Sequence, residues 1–144
     1  MKVLVTLFFV LLLTTSYGQT GINKKLVGKW QQLSQANQDS SVIEKFDSTL
    51  QIFYDFKSDG SFLYTHIRND NHFKGTYYTI GRWKVVKGNE LILYQRRPEP
   101  KRPNTTYGDA EYSIVTIKTS TLILYGKFSV DSEGGMGKAL FKKQ

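Results

Sequence analysis

Residues 49–68 read TLQIFYDFKSDGSFLYTHIR, two short runs of apolar and aromatic residues separated by Lys57-Ser58-Asp59-Gly60. Side chains alternate within each run. Tyr54 and Phe56 share one phase and Phe53 takes the other, while Phe62, Tyr64 and His66 share a phase of the second run. A period of two is that of a β-strand, whose successive side chains point to opposite faces. The four intervening residues are turn formers, and Gly60 accepts the positive φ that a tight hairpin needs. The stretch predicts a β-hairpin and sets the pattern for the rest of the chain.

Similar runs occupy Leu26–Ser34, Thr76–Val86, Glu90–Arg97, Ala110–Lys118, Thr121–Phe128 and Gly137–Lys143. Turn signals stand between them at Asn69-Asp70-Asn71, Lys87-Gly88-Asn89 and Lys118-Thr119-Ser120, and a glycine-rich connection covers Ser132–Gly137. Gly81 interrupts the fourth run, as a bulge or a barrel corner would. The polar stretch Gln35–Ser48 is read as a connection in which Ser40–Phe46 forms a turn of helix. Pro98, Pro100 and Pro103 are the only prolines; they cannot donate to a ladder, so Pro98–Gly108 is predicted as an extended loop. Eight strands joined mostly by tight turns predict an all-β fold, an eight-stranded antiparallel up-and-down barrel. Closure removes both sheet edges, and an eight-stranded interior is either filled by side chains or holds one small ligand.

The chain opens with Lys2, an apolar run from Val3 to Leu13, and small residues at Ser16 and Gly18. This is the form of a cleavable secretory signal over residues 1–18, cut before Gln19; the apolar run is short of the ~20 residues of a spanning helix. Residues 19–144 are then one domain of ordinary size, exported to the periplasm or beyond and soluble, with no membrane span. The chain has no cysteine, which excludes disulfides, thiolate metal sites and lipid attachment at a cysteine after the signal. The formal charge of +8 becomes +7 once Lys2 is removed. Its basic residues are dispersed rather than clustered as a nucleic-acid footprint would be, and export argues further against nucleic acid as a partner. The densest basic stretch, 96–103, is rigidified by prolines and offers a rim for an anionic group or a partner protein.

Five segments in order resemble the small bacterial lipocalin-like domains: Leu26-Val27-Gly28-Lys29-Trp30, Phe56 to Phe62, Gly81-Arg82-Trp83-Lys84-Val85, Gly88 to Leu93, and Thr121 to Leu124. The first is similar to the Gly-x-Trp opening strand of that group. The resemblance implies an up-and-down barrel that binds small, largely apolar molecules. In lipocalins the first-strand tryptophan usually stacks with an arginine from near the end of the barrel. No arginine follows Arg102 here, so that place falls to Lys138, Lys142 or Lys143, which supply a cation–π contact but no planar stack.

Trp30 and Trp83 are read as core, and alternation puts Trp83, Val85, Leu91, Leu93, Leu122 and Leu124 inside. The ligand-binding candidates are Tyr54, Phe56, Phe62, Tyr64 and His66, with Tyr112 and Tyr125 from the far side; they either line a pocket or fill the barrel. His66 and His72 are the only histidines, too few nitrogen ligands for a closed zinc site; no metal and no cofactor is expected. No catalytic motif is present: there is no Gly-x-Ser-x-Gly, phosphate-cradling glycine loop or His-Glu-x-x-His. Glu44, Asp47 and Asp55 are carboxylates without such a setting. The sequence thus points to a non-enzymatic carrier or sensor for a small apolar or amphipathic molecule. The alternative is an interaction module that uses surface residues such as Phe53 and the basic stretch.

Overall fold

A computed structural model describes residues 21–96, 110–128 and 135–144. The leader over 1–18 and nearly all of the basic stretch 96–103 lie outside the described residues. A short helix α1 (Gly21–Leu26) precedes nine strands: β1 (Gly28–Asn37), β2 (Ile43–Lys45), β3 (Leu50–Phe56), β4 (Ser61–Asn69), β5 (Lys74–Val86), β6 (Glu90–Arg96), β7 (Ala110–Ile117), β8 (Thr121–Lys127) and β9 (Met136–Lys143). Every pairing is antiparallel, and from β3 to β9 each strand pairs with its sequence neighbours. Pairing of β1 with β9 closes the ring. Eight of the strands form the expected barrel, and β2 is an addition to it.

The extra strand corrects the reading of Ser40–Phe46 as helix. Ile43, Glu44 and Lys45 pair with Ala36, Gln35 and Ser34 of β1. The polar composition concealed a three-residue strand whose ends are set by side-chain turns. Asp39 accepts from the amide of Ser41 (2.9 Å), and Asp47 accepts from the amide and hydroxyl of Thr49 (2.7 and 2.6 Å). Aspartates prefer such local bonds to a helical ladder. The same Asp-x-Ser/Thr device forms the predicted β3–β4 turn, where Asp59 accepts from the amide and hydroxyl of Ser61 and Gly60 sits at φ 80°.

A second correction concerns the start of the first run: Leu26 ends α1 rather than opening the strand. α1 packs on β5 and β7, and Leu26 is fully buried. The core fills this end of the barrel. Trp30, Phe56, Phe62, Trp83, Leu91, Leu93, Leu122, Leu124 and Phe141 are all buried, as expected for both tryptophans and as alternation predicted for Trp83 and the four leucines. Both indole N–H groups are satisfied, Trp30 by the carbonyl of Leu26 (2.7 Å) and Trp83 by that of Lys57 (3.0 Å). The cation over Trp30 is Lys143, whose Nζ lies 5.1 Å from the ring centroid. Gly28, at φ 125°, makes room for it: a Cβ there would meet Lys143 Cε at 2.7 Å. The glycine of the Gly-x-Trp opening strand thus lets the C-terminal lysine lie over the tryptophan.

Gly81 is no bulge. The ladders run through it without a shift, pairing it with Phe62 and Gln95. Glycine is needed because an added Cβ would sit 2.1 Å from the carbonyl oxygen of Tyr94 and 2.7 Å from Phe62. The true register shifts fall between Gln32 and Ser34 and between Ile114 and Thr116. We expect Gly81→Ala to cost about 1–3 kcal/mol, the usual range for overpacking. Gly135, where a Cβ meets no atom of the described residues within 4 Å, is the control and should stay within ~0.5 kcal/mol of wild type on substitution by alanine. Urea midpoints of the two variants measured side by side check this; equal values would remove the steric account of Gly81.

Candidate functional site at the open end of the barrel

The strands that pack solidly at the α1 end carry different residues at the other end. Inward positions shrink along β9 from Phe141 through Ala139 to Gly137, and β8 passes from Leu124 to Gly126. Opposite them β1 turns polar, passing from Trp30 to Gln32 and, beyond its register shift, Gln35. These substitutions leave a cavity of about 370 Å³, with Ile52, Tyr54, Tyr64, Thr79 and Tyr112 in its wall and His66 and Glu44 toward its opening. Its volume lies in the usual range for a small-molecule site.

Of the seven sequence-predicted residues, Tyr54, Phe62, Tyr64, His66 and Tyr112 border the cavity. Phe56 does not: it shares the phase of Tyr54 but lies deeper, 1% exposed, edge-on to Trp83 with centroids 5.5 Å apart. Tyr125 does not either. It has the opposite phase of β8 from buried Leu124 and Gly126, so its side chain faces outward. Sequence reasoning missed Leu50, Ile52, Gln32, Gln35, Thr79 and Phe128, all of which line the space. Phe53, proposed as a surface residue, is half-buried under Lys29, whose Nζ lies 4.5 Å from its ring centroid.

Two substructures organise the wall. The first is an aromatic ladder rising from the packed floor: Phe56 to Tyr54 (6.0 Å between centroids), Tyr54 to Tyr64 (5.0 Å), Tyr64 to His66 (6.3 Å), His66 to Tyr77 (5.8 Å), and Tyr77 to Phe73 (5.3 Å). Its last members stand exposed on the β4–β5 hairpin. The second is a polar chain. Gln32 Nε2 donates to Gln35 Oε1 (3.2 Å), and Gln35 Nε2 donates to Glu44 Oε2 (2.7 Å). Gln32 and Gln35 are only 2% and 8% exposed. Tyr112 stacks on Phe128 with centroids 5.0 Å apart, and its hydroxyl shares a hydrogen bond with that of Tyr54.

Burial, with the neighbouring Tyr112 and Tyr64, holds the Tyr54 hydroxyl well above its usual titration range; burial does the same to Tyr112, partly offset by the bond with Tyr54. Both phenols are therefore neutral hydrogen-bonding groups at physiological pH. Burial lowers the pKa of His66, helped by the cation of Arg68, and its Nε2 is buried without a hydrogen-bond partner among the described residues. Arg68 is itself paired with Asp70. A second cleft, lined by Glu44, Lys45, Asp47, Leu50, His66, Arg68 and Asp70, shares three of these residues with the cavity and opens it laterally between β2 and β4. Among the described residues no group of three or more His, Cys, Asp or Glu is placed to hold a metal ion, and no helix is long and apolar enough to cross a membrane. His72 lies in the exposed turn between β4 and β5, and Asp55 pairs with Lys57.

Residues 26–124 match the family of the lipocalin-like domain. Among solved structures, an uncharacterised protein from Bacteroides eggerthii shares 20% identity, with 82% of this chain and 98% of that one aligned at a TM-score of 0.54. A redesigned β-barrel (13% identity, 85% and 94% covered) and the major allergen Per a 4 from cockroaches (16%, 83% and 66%) both align at a TM-score of 0.48. No curated protein matches the chain.

The depressed pKa of His66 makes the folded state the poorer proton binder, so stability falls as pH drops through the unfolded value near 6.5. The loss is complete once the folded histidine also protonates. Urea midpoints at pH 7.5 and 5.0 should therefore differ more in wild type than in His66→Gln. An NMR titration placing His66 at or above 6.5 would contradict the assignment.

Proposed function

We propose that this chain, which belongs to the lipocalin-like domain family, is an exported carrier or sensor that holds one small amphipathic molecule at the open end of its barrel. The observation that carries this reading is the half-hollow interior. A barrel serving only as a scaffold gains nothing by replacing core side chains with Gln32, Gln35 and Thr79 around a cavity of about 370 Å³. Gln32 and Gln35 are hydrogen-bonded to each other and to Glu44, but the buried Nε2 of His66 has no hydrogen-bond partner among the described residues. Buried polar groups cost free energy unless satisfied, so this nitrogen supports a ligand with polar atoms of its own. The mixed wall narrows the expectation from apolar to amphipathic ligands. Burying ~300 Å² of apolar ligand surface yields ~7 kcal/mol gross; association costs then bring affinities to the micromolar range. The lipocalin-like barrel is typically a binding fold, and we propose no reaction for it. Export is supported by the form of residues 1–18.

A second reading, an interaction module, draws on Tyr78, Ile80 and Val115, which are each about half exposed on the outer surface (55%, 51% and 52%). Native mass spectrometry of protein purified from its own host separates the two. A discrete adduct that disappears under denaturing conditions is the expected result. It should be absent from Ile52→Trp, whose enlarged side chain projects into the cavity. A bare polypeptide from wild type, together with failure of any apolar fluorophore to bind, would favour the interaction module. The same spectra report the leader: we expect a polypeptide mass beginning at Gln19, and a mass retaining Met1–Gly18 would overturn export by cleavage.

A further inference from the structure

We propose that the cavity selects a ligand with a cationic, hydrogen-donating head, such as a protonated amine, seated on the Glu44 carboxylate; this rests on reading the cavity as a ligand site. The argument starts from the direction of the Gln32–Gln35–Glu44 chain. An ionised carboxylate only accepts hydrogen bonds. Gln35 must therefore turn its amide nitrogen to Glu44, which it does at 2.7 Å, and its carbonyl oxygen is left to accept from Gln32 at 3.2 Å. Both glutamines are more than nine-tenths buried. Both of these bonds run from glutamine nitrogen toward Glu44, and the chain ends on an acceptor. Linked bonds of this kind polarise one another, and the bond from the buried Gln35 amide holds the orientation of the Glu44 carboxylate. A ligand head that completes the chain must donate.

The neighbouring charges favour a cation over a neutral donor. Glu44 pairs with Gln35 across β1 and β2 and so shares its inward phase; it has no ion-pair partner among the described residues. Of the other charged groups at the opening, two are committed to partners and two lie exposed at the rim. Arg68 is bound to Asp70, and Asp47 is held by the amide and hydroxyl of Thr49. Lys45 and Lys127 are exposed and on the outward phases of β2 and β8, with Lys127 bordering the cavity and Lys45 the adjoining cleft from the rim. Glu44 is the carboxylate of the cavity wall, on the inward phase of β2. The chain's formal +8 repels cations at long range, but screening limits that field to ~8 Å at physiological ionic strength. A contact ion pair in a partly dehydrated mouth is stronger than the screened field. The π-faces of Tyr64 and His66 beside it also accept a cation or a flat apolar body more readily than an anion.

Three probes with one naphthyl body and different heads test this on the purified full domain: 2-(1-naphthyl)ethylamine, 2-(1-naphthyl)ethanol and 1-naphthylacetate, followed by naphthyl fluorescence anisotropy. The amine should bind at least about tenfold tighter than the alcohol, in line with one charge-assisted hydrogen bond, and the acetate weakest. Glu44→Gln, checked for native folding by circular dichroism, should bring the amine down to the level of the alcohol and leave the alcohol unchanged. If the probes bind without head preference, or if Glu44→Gln keeps the amine preference, the cationic-head inference fails and the ligand cavity stands. If none of the three binds, the cavity reading fails with it.

Discussion

The structure depends on β1 being paired along both edges. On one side it meets β9 over nearly its whole length. On the other it meets β3 through Gly28–Gln32 and then β2 through Ser34–Ala36. This double pairing closes the ring and leaves neither β1 nor β9 as an exposed edge, which is how a small β domain without disulfides avoids edge-to-edge association. The same strand sets the floor of the interior. Trp30 is fully buried, its N–H bonded to Leu26 of α1 and its ring covered by Lys143 of β9. One side chain therefore ties together the helix, the first strand and the last.

The change of partner along β1 also creates the opening. Where pairing passes from β3 to β2, residues 46–49 leave the wall, anchored by the Phe46 amide on the Leu33 carbonyl (2.9 Å) and by the Asp47 turn. The register shift between Gln32 and Ser34 falls at the same level. It switches the inward phase of β1, so that Gln35 rather than Ser34 faces in. That switch brings Gln35 opposite Glu44 and assembles the polar chain. The lateral cleft between β2 and β4 is the gap left by the same departure. Closure and access are two consequences of one irregularity in one strand.

How far the sequence was legible follows from these particulars. Strict alternation identified the strands, the interior tryptophans and the leucines of β6 and β8, because there the ladder is regular and one face is dry. It found the inward faces of β3 and β4, and hence Tyr54, Tyr64 and His66. It failed where phase is not enough. Phe56 and Tyr54 share a face but not a depth, and depth depends on where the helix and the packed end lie. Tyr125 was misplaced although Leu122 and Leu124 as interior residues already require it to face out. Gln35 was hidden by the register shift, whereas Phe128 was passed over although it shares the phase of Leu122 and Leu124 in the run Thr121–Phe128. β2 was hidden by its brevity and by the serine- and aspartate-rich turns around it, whose local hydrogen bonds read as a polar connection.

The interior is best understood as a gradient along the barrel axis. Aromatic and aliphatic side chains fill the α1 end, tyrosines with neutral hydroxyls occupy the middle, and glutamine, histidine and glutamate stand toward the mouth. Such an order has a physical logic. Polar groups are cheapest where water or a polar ligand atom can reach them, and apolar groups contribute most where water is excluded. The gradient also separates stability from recognition. The tightly packed end closes around Trp30 and carries the fold, which leaves the mouth end free to hold an unfilled volume and the buried nitrogen of His66. A molecule that entered would meet the same gradient the barrel itself displays, with its apolar body toward the aromatic floor and its polar head at the level of Glu44. The orientation of the ligand is therefore implied by the residues that make the barrel stable.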